Sequence, residues 1–75
     1  MLEFKRGGDM NTKLKKLREQ QGITQVQIAQ KSNISVMSYQ RYEAGERTPN
    51  VHTAQLIAQA LNATVEELFP VALHS

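Results

Sequence analysis

Apolar residues recur along this chain at helical spacing, and each apolar stripe is bracketed by residues that start or stop a helix. Met10, Leu14 and Leu17 stand at i, i+4 and i+7, one face of a helix expected over about 11–21 and ended by Gly22 in the left-handed C′ position. Thr24 then opens a second helix as N-cap, Gln27 completes a capping box, and Ile23 against Ile28 forms a hydrophobic staple. This helix is short, about 25–32, and ends at Asn33, the residue after Gly that most readily takes positive φ. Ser35 caps a third helix running to about Ala44 and Gly45, with Ile34 and Tyr39 again in the staple relation. A polar loop, 46–49, leads to Asn50 as the next cap and to a helix ending near Leu61, whose stripe is Ala54, Ile57, Ala58 and Leu61. Thr64 with Glu67 forms a second capping box, opening a helix of one to two turns that Pro70 terminates.

Five helices and no strand define an all-α fold, a compact five-helix bundle. Residues 1–9 hold Gly7 and Gly8 without helical periodicity and read as a flexible N-terminal leader, with Met10 a candidate start. The domain is expected over 10–70, with 71–75 as a C-terminal tail. Met10, Leu14, Leu17, Ile28, Ile57, Leu61 and Leu68 are the expected core.

Composition narrows what such a bundle does. A chain of 75 residues buries only about 60% of its unfolded surface, which leaves room for one modest core and none for a large substrate cavity. There is no Cys, hence no disulfide or thiolate metal site. No apolar run reaches membrane-spanning length, and the first residues lack a signal peptide's apolar core, so the expected location is the cytoplasm, away from any membrane. The net charge of +2 is modest, but its placement is uneven. All nine Lys and Arg fall between Lys5 and Arg47, against five acids there, whereas the rest of the chain carries only Glu66 and Glu67. The front half is suited to a polyanion. Lys13, Lys15 and Lys16 form a charged face on the first helix, either solvated or set against phosphate.

The informative unit is the corner between the second and third helices. A connection of Asn33 and Ile34 alone, before the Ser35 cap, forces the two helices to cross steeply, and Ala29 supplies the small side chain such a crossing needs. Ile28, Ile34, Tyr39 and Tyr42 take the inward positions. With LKKLREQQG ahead of it, the stretch from Ile23 to Phe69 resembles the XRE family, the helix-turn-helix domains of lambdoid phage repressors and Cro proteins. The T-Q pair, an Ala four residues after the Gln, Y-E-x-G and V-E-E-L-F all fall in order.

That resemblance implies a lambda-repressor-like fold, double-stranded DNA as partner, and roles for particular residues. Gln25 resembles the Gln that bonds a phosphate and braces the recognition helix. Ser35, Val36, Met37, Ser38, Gln40 and Arg41 correspond to the outward positions from which base edges and adjacent phosphates are reached. Among these, Arg41 is the main candidate for direct readout, because guanidinium bonds guanine O6 and N7 bidentately. Gln40 is the second candidate, and Val36 and Met37 offer apolar contact to a thymine methyl. Arg18 and Glu43 resemble the family's ion pair between the first and third helices, a structural role. Arg47, in the loop 45–48, resembles the backbone-contacting loop residue. Asn33 stands where the family commonly has Gly, and Tyr39 where it usually has an aliphatic residue. The Tyr39 hydroxyl is then expected at the rim of the domain or on a phosphate.

The expected function is a sequence-specific regulator, a repressor of phage or mobile-element type, binding a two-fold operator as a homodimer. Its dimer surface is expected over 61–73. The competing reading is an antitoxin or adaptor that holds a partner protein through that same C-terminal surface. No cofactor or metal is expected: His52 and His74 lack neighbours at ligand spacing. Catalysis is not expected either, since the single Asp, Asp9, lies in the leader, and Glu66 and Glu67, adjacent on a helix, point apart.

Overall fold

The computed structural model describes residues 10–70, so the leader, 1–9, and the tail, 71–75, lie outside the described residues. Five helices follow in order: α1 (Thr12–Gln20), α2 (Gln25–Lys31), α3 (Val36–Ala44), α4 (Val51–Ala60) and α5 (Val65–Leu68). No strand occurs among the described residues.

Each helix starts where a short polar side chain replaces a missing intrahelical partner. Asn11, Thr24, Ser35, Asn50 and Thr64 each accept a backbone N–H from three residues on. Thr24 with Gln27 and Thr64 with Glu67 close full capping boxes. The ends of α1 to α4 are equally regular. Gly22, Asn33, Gly45 and Asn62 all take positive φ, and the following N–H reaches back to the carbonyls of Arg18, Ala29, Arg41 and Ala58, respectively. This is the Schellman pattern. Thr24, Ser35, Asn50 and Thr64 are the expected caps and Gly22, Asn33 and Gly45 the expected stops; the Asn11 cap and the Asn62 stop add to them.

The core is formed by Leu14, Ile28, Ala29, Tyr39, Ala54, Ile57, Ala58, Leu61, Leu68 and Phe69, with Leu17, Ile23, Ile34 and Tyr42 packed against it. Every one of α1 to α5 contributes, and Ile23 and Ile34 pack against the cluster that holds their expected staple partners, Ile28 and Tyr39. Met10 does not belong to it: it is 51% exposed. It precedes the Asn11 cap, so helical spacing does not carry it onto the apolar face of α1. Within the expected dimer surface over 61–73, Leu61, Leu68 and Phe69 are buried in the chain's own core, while Val71, Ala72 and Leu73 lie outside the described residues. Asn11 ties three elements together: its N–H donates to the Glu43 carbonyl, its Nδ2 to the Leu68 carbonyl, and its Oδ1 caps α1.

Candidate nucleic-acid interface

The residues of α3 divide between two environments. On its inner side Tyr39 is fully buried and Glu43 nearly so. On its outer side Val36, Met37, Gln40 and Arg41 are exposed, Met37 most of all at 61%. The short α2–α3 corner produces this arrangement. Ser32 ends α2, Asn33 turns the chain at φ 59°, and Ile34 drops onto the core before Ser35 restarts the helix. Ser35 Oγ accepts the Ser38 N–H at 3.1 Å and donates to Ser38 Oγ at 3.0 Å, so the two hydroxyls are paired at the first turn of α3.

Behind the helix lies a buried polar cluster centred on Glu43. Arg18 grips its carboxylate edge-on, Nε to Oε2 at 2.7 Å and Nη2 to Oε1 at 3.0 Å, and donates its remaining Nη1 to the Ile23 carbonyl at 2.8 Å. Tyr39 Oη donates to Oε2 at 2.6 Å, and Gln25 Nε2 to Oε1 at 3.0 Å. Each carboxylate oxygen thus accepts two hydrogen bonds, which is how a buried charge becomes tolerable. Burial alone would raise the Glu43 carboxyl, but the hydrogen bonds from Arg18, Tyr39 and Gln25, with the Arg18 charge, outweigh it and hold it below the usual carboxylate range. Burial, and then the bond to Glu43, push the Tyr39 phenol well above its ordinary value. Arg18 is raised in turn, chiefly by its bond to Glu43.

The Arg18–Glu43 pair takes the geometry expected of it. The Tyr39 hydroxyl does not: it points inward to Glu43 and reaches neither the rim nor the solvent. A signal for this was available, since Tyr39 and Glu43 lie four residues apart on one helix face.

Gln25 joins the buried cluster to the surface. Its Oε1 accepts from Gln40 Nε2 at 3.2 Å, a link between α2 and α3 that spacing along the chain did not reveal. Arg41 is exposed, with Nη2 3.9 Å from Met37 Sδ. The loop after α3 is fixed to it, since the Glu46 and Arg47 N–H groups both donate to the Arg41 carbonyl, at 2.9 and 3.4 Å. Exposed Arg47 and Thr48 therefore have a set position relative to the outer face of α3. Met37, Gln40, Arg41, Ala44 and Glu46 line a shallow depression there. Among the described residues no group of acids and histidines is placed to hold a metal, and no helix is long and apolar enough to cross a membrane.

A short helix packed at a corner behind an exposed one is a helix-turn-helix, and the helix-turn-helix family model matches residues 14–68. The chain belongs to the XRE family of helix-turn-helix proteins. The transcriptional repressor RstR of the cryptic phage CTXphi, from Vibrio cholerae, is 42% identical over 45 residues, covering 60% of this chain and 40% of that protein. The transcriptional activator BcrR of Enterococcus faecalis is 30% identical over 60 residues, 80% of this chain and 29% of that one. An uncharacterised helix-turn-helix regulator of Archaeoglobus fulgidus is 32% identical, covering 80% of this chain and 86% of its own length. The chain thus spans less than half the length of the two named regulators. The crystal structure of ComR from Streptococcus suis superposes with a TM-score of 0.72 at 28% identity, over 92% of this chain and 23% of that one. That of the regulator ClgR from Corynebacterium glutamicum gives 0.72 at 22%, over 85% and 68%, a likeness of fold alone. In this XRE-family chain the helix-turn-helix is a DNA-binding unit.

Proposed function

We propose that this chain is a sequence-specific repressor that sets α3 in the major groove of a two-fold operator and binds as a homodimer. The observation that carries the reading is the division of α3. One side is anchored through Tyr39 and Glu43, and the other presents Val36, Met37, Gln40 and Arg41 to solvent as a row of side chains suited to base edges. Ser35 and Ser38 at the N-terminal end of the helix, Gln25 beside Gln40, and Arg47 beyond the helix's other end are the proposed phosphate contacts. Repression is favoured by the phage repressor, which has the highest identity of the three relatives described.

A two-fold arrangement follows from size. The nine residues of α3 span only about 14 Å, and one such helix covers too little DNA for tight specific binding; two half-sites about 34 Å apart supply the rest. The experiment is a titration of binding to a random-sequence duplex against salt, followed by fluorescence anisotropy. Affinity should fall steeply and linearly on logarithmic axes, with a slope of about −0.9 per neutralised phosphate. Little binding at any salt concentration overturns the reading and is what a protein-binding adaptor would give.

A further inference from the structure

We infer that Met37 is an oxidation site, and that a peroxide, by turning its thioether into a sulfoxide, releases the protein from its operator. The inference rests on the reading that α3 enters the major groove. Met37 is 61% exposed, more than any other large apolar side chain of the described residues. It stands in the outer row of α3 and lines a shallow depression with Gln40, Arg41, Ala44 and Glu46. Its Sδ is 3.9 Å from Arg41 Nη2, one helical turn further on. A thioether is only a weak acceptor, so in the reduced protein it leaves the guanidinium free for a base.

The reaction is a transfer of one oxygen atom. The Sδ lone pair attacks one oxygen of hydrogen peroxide, and an S–O bond forms as the O–O bond breaks. The departing hydroxide takes up the proton of the transferred oxygen and leaves as water. Sulfur is oxidised, and the peroxide reduced, by two electrons. The attack needs solvent access, which the exposure of Met37 provides. A flexible apolar side chain becomes a polar, chiral one. The new oxygen sits on the atom that Arg41 already approaches, and it accepts a hydrogen bond far better than the thioether does. Arg41 is thereby drawn from guanine, while base acceptors such as thymine O4 meet an oxygen that has nothing to donate. Met10 is an internal control: it is 51% exposed, but it precedes α1 and does not line the depression around Met37.

The intact chain is treated with hydrogen peroxide, each methionine is followed by peptide mass spectrometry, and affinity is measured for a duplex selected by the untreated protein. The readout is the ratio of affinities before and after treatment, so the starting affinity of each variant cancels. Wild-type affinity should fall by a factor of about 5 to 150, the worth of one bidentate base contact, in step with sulfoxide at Met37. Methionine sulfoxide reductases A and B together should restore it. Met37→Leu should not respond to peroxide, and Met10→Leu should respond as the wild type does. Adding the selected duplex first should slow oxidation of Met37 relative to Met10. Circular dichroism before and after treatment checks that the fold is intact. Unchanged affinity of protein fully oxidised at Met37, or an equal loss in Met37→Leu, overturns this inference alone. Failure of the untreated chain to bind any duplex overturns it together with the proposed function.

Discussion

Arg18 and Glu43, from α1 and α3, meet through two parallel hydrogen bonds of 2.7 and 3.0 Å, and both are largely shielded from solvent. The bond fixes the angle at which α3 leaves the body of the protein. Removing one partner leaves a charge stranded in a poorly solvated site, a loss of about 3 kcal/mol or more, out of a total stability of roughly 5–15 kcal/mol for a small domain. Arg18→Met and Glu43→Met should each lower the urea midpoint accordingly. The double variant Arg18→Met with Glu43→Met should cost at least about 1 kcal/mol less than the two single-site losses combined, as coupled neighbours do. Strict additivity in a double-mutant cycle would show that the pair does not act as a unit.

The same cluster bounds the pH range of stability from both sides. The folded state binds the Glu43 proton more weakly than the unfolded chain does. Its contribution is therefore complete above the ordinary carboxylate value of about 4.3 and is lost as the pH falls below it. Tyr39 behaves oppositely, because the folded state holds the phenolic proton more tightly. Its contribution is complete below the ordinary value of about 10 and declines as the pH rises past it. Unfolding midpoints measured from pH 3 to 11 should form a plateau that falls at both ends. Tyr39→Phe should flatten the alkaline decline relative to wild type while leaving the acid one; an unaltered alkaline limb would rule out this assignment.

Ser32 presents a different case. It is fully buried at the end of α2, and its Oγ is without a hydrogen-bond partner among the described residues. An unpaired buried hydroxyl costs about 1–3 kcal/mol that its removal recovers in part. Ser32→Ala should consequently leave stability unchanged or raise it by about 1 kcal/mol in thermal or urea unfolding. A loss of similar size would mean that the hydroxyl is satisfied in solution.

What could be read from the sequence was what depends on neighbours in the chain. Caps such as Thr24 and Thr64 declare themselves because the partner N–H is always three residues away, and the staples of Ile23 with Ile28 and Ile34 with Tyr39 are equally local. Asn62 carries the same signal as Asn33, an Asn just past the last turn of a helix, and its φ of 56° performs the same turn. Met10 is the converse case: it matches the period of Leu14 and Leu17 but lies one residue before the Asn11 cap, where the helix and its periodicity begin. The link from Gln40 to Gln25, fifteen residues apart on two helices, has no local signature, because it depends on the crossing of α2 and α3. The Tyr39 hydroxyl has no need of an exposed partner, because the ionised Glu43 satisfies it inside.

Arg41 and Arg47 are both exposed, carry the same charge and are joined through one carbonyl, yet they should fail differently when removed. Arg41 leaves the body of α3 beside Gln40, on the face assigned to base edges. Its guanidinium can bond O6 and N7 of guanine, so Arg41→Ala should erase a guanine preference at one position per half-site at about 1–3 kcal/mol while affinity for random DNA changes less. Arg47 lies beyond the end of the helix in a loop whose backbone folds back on α3, where a phosphate but no base edge is within its expected reach. Arg47→Ala should weaken every duplex by a similar factor and reduce the salt slope by about 1, with the selected sequence unchanged. Measuring both variants on selected and random duplexes across a salt series separates the two roles. Equal losses on both DNAs for Arg41→Ala would remove it from the base-reading set.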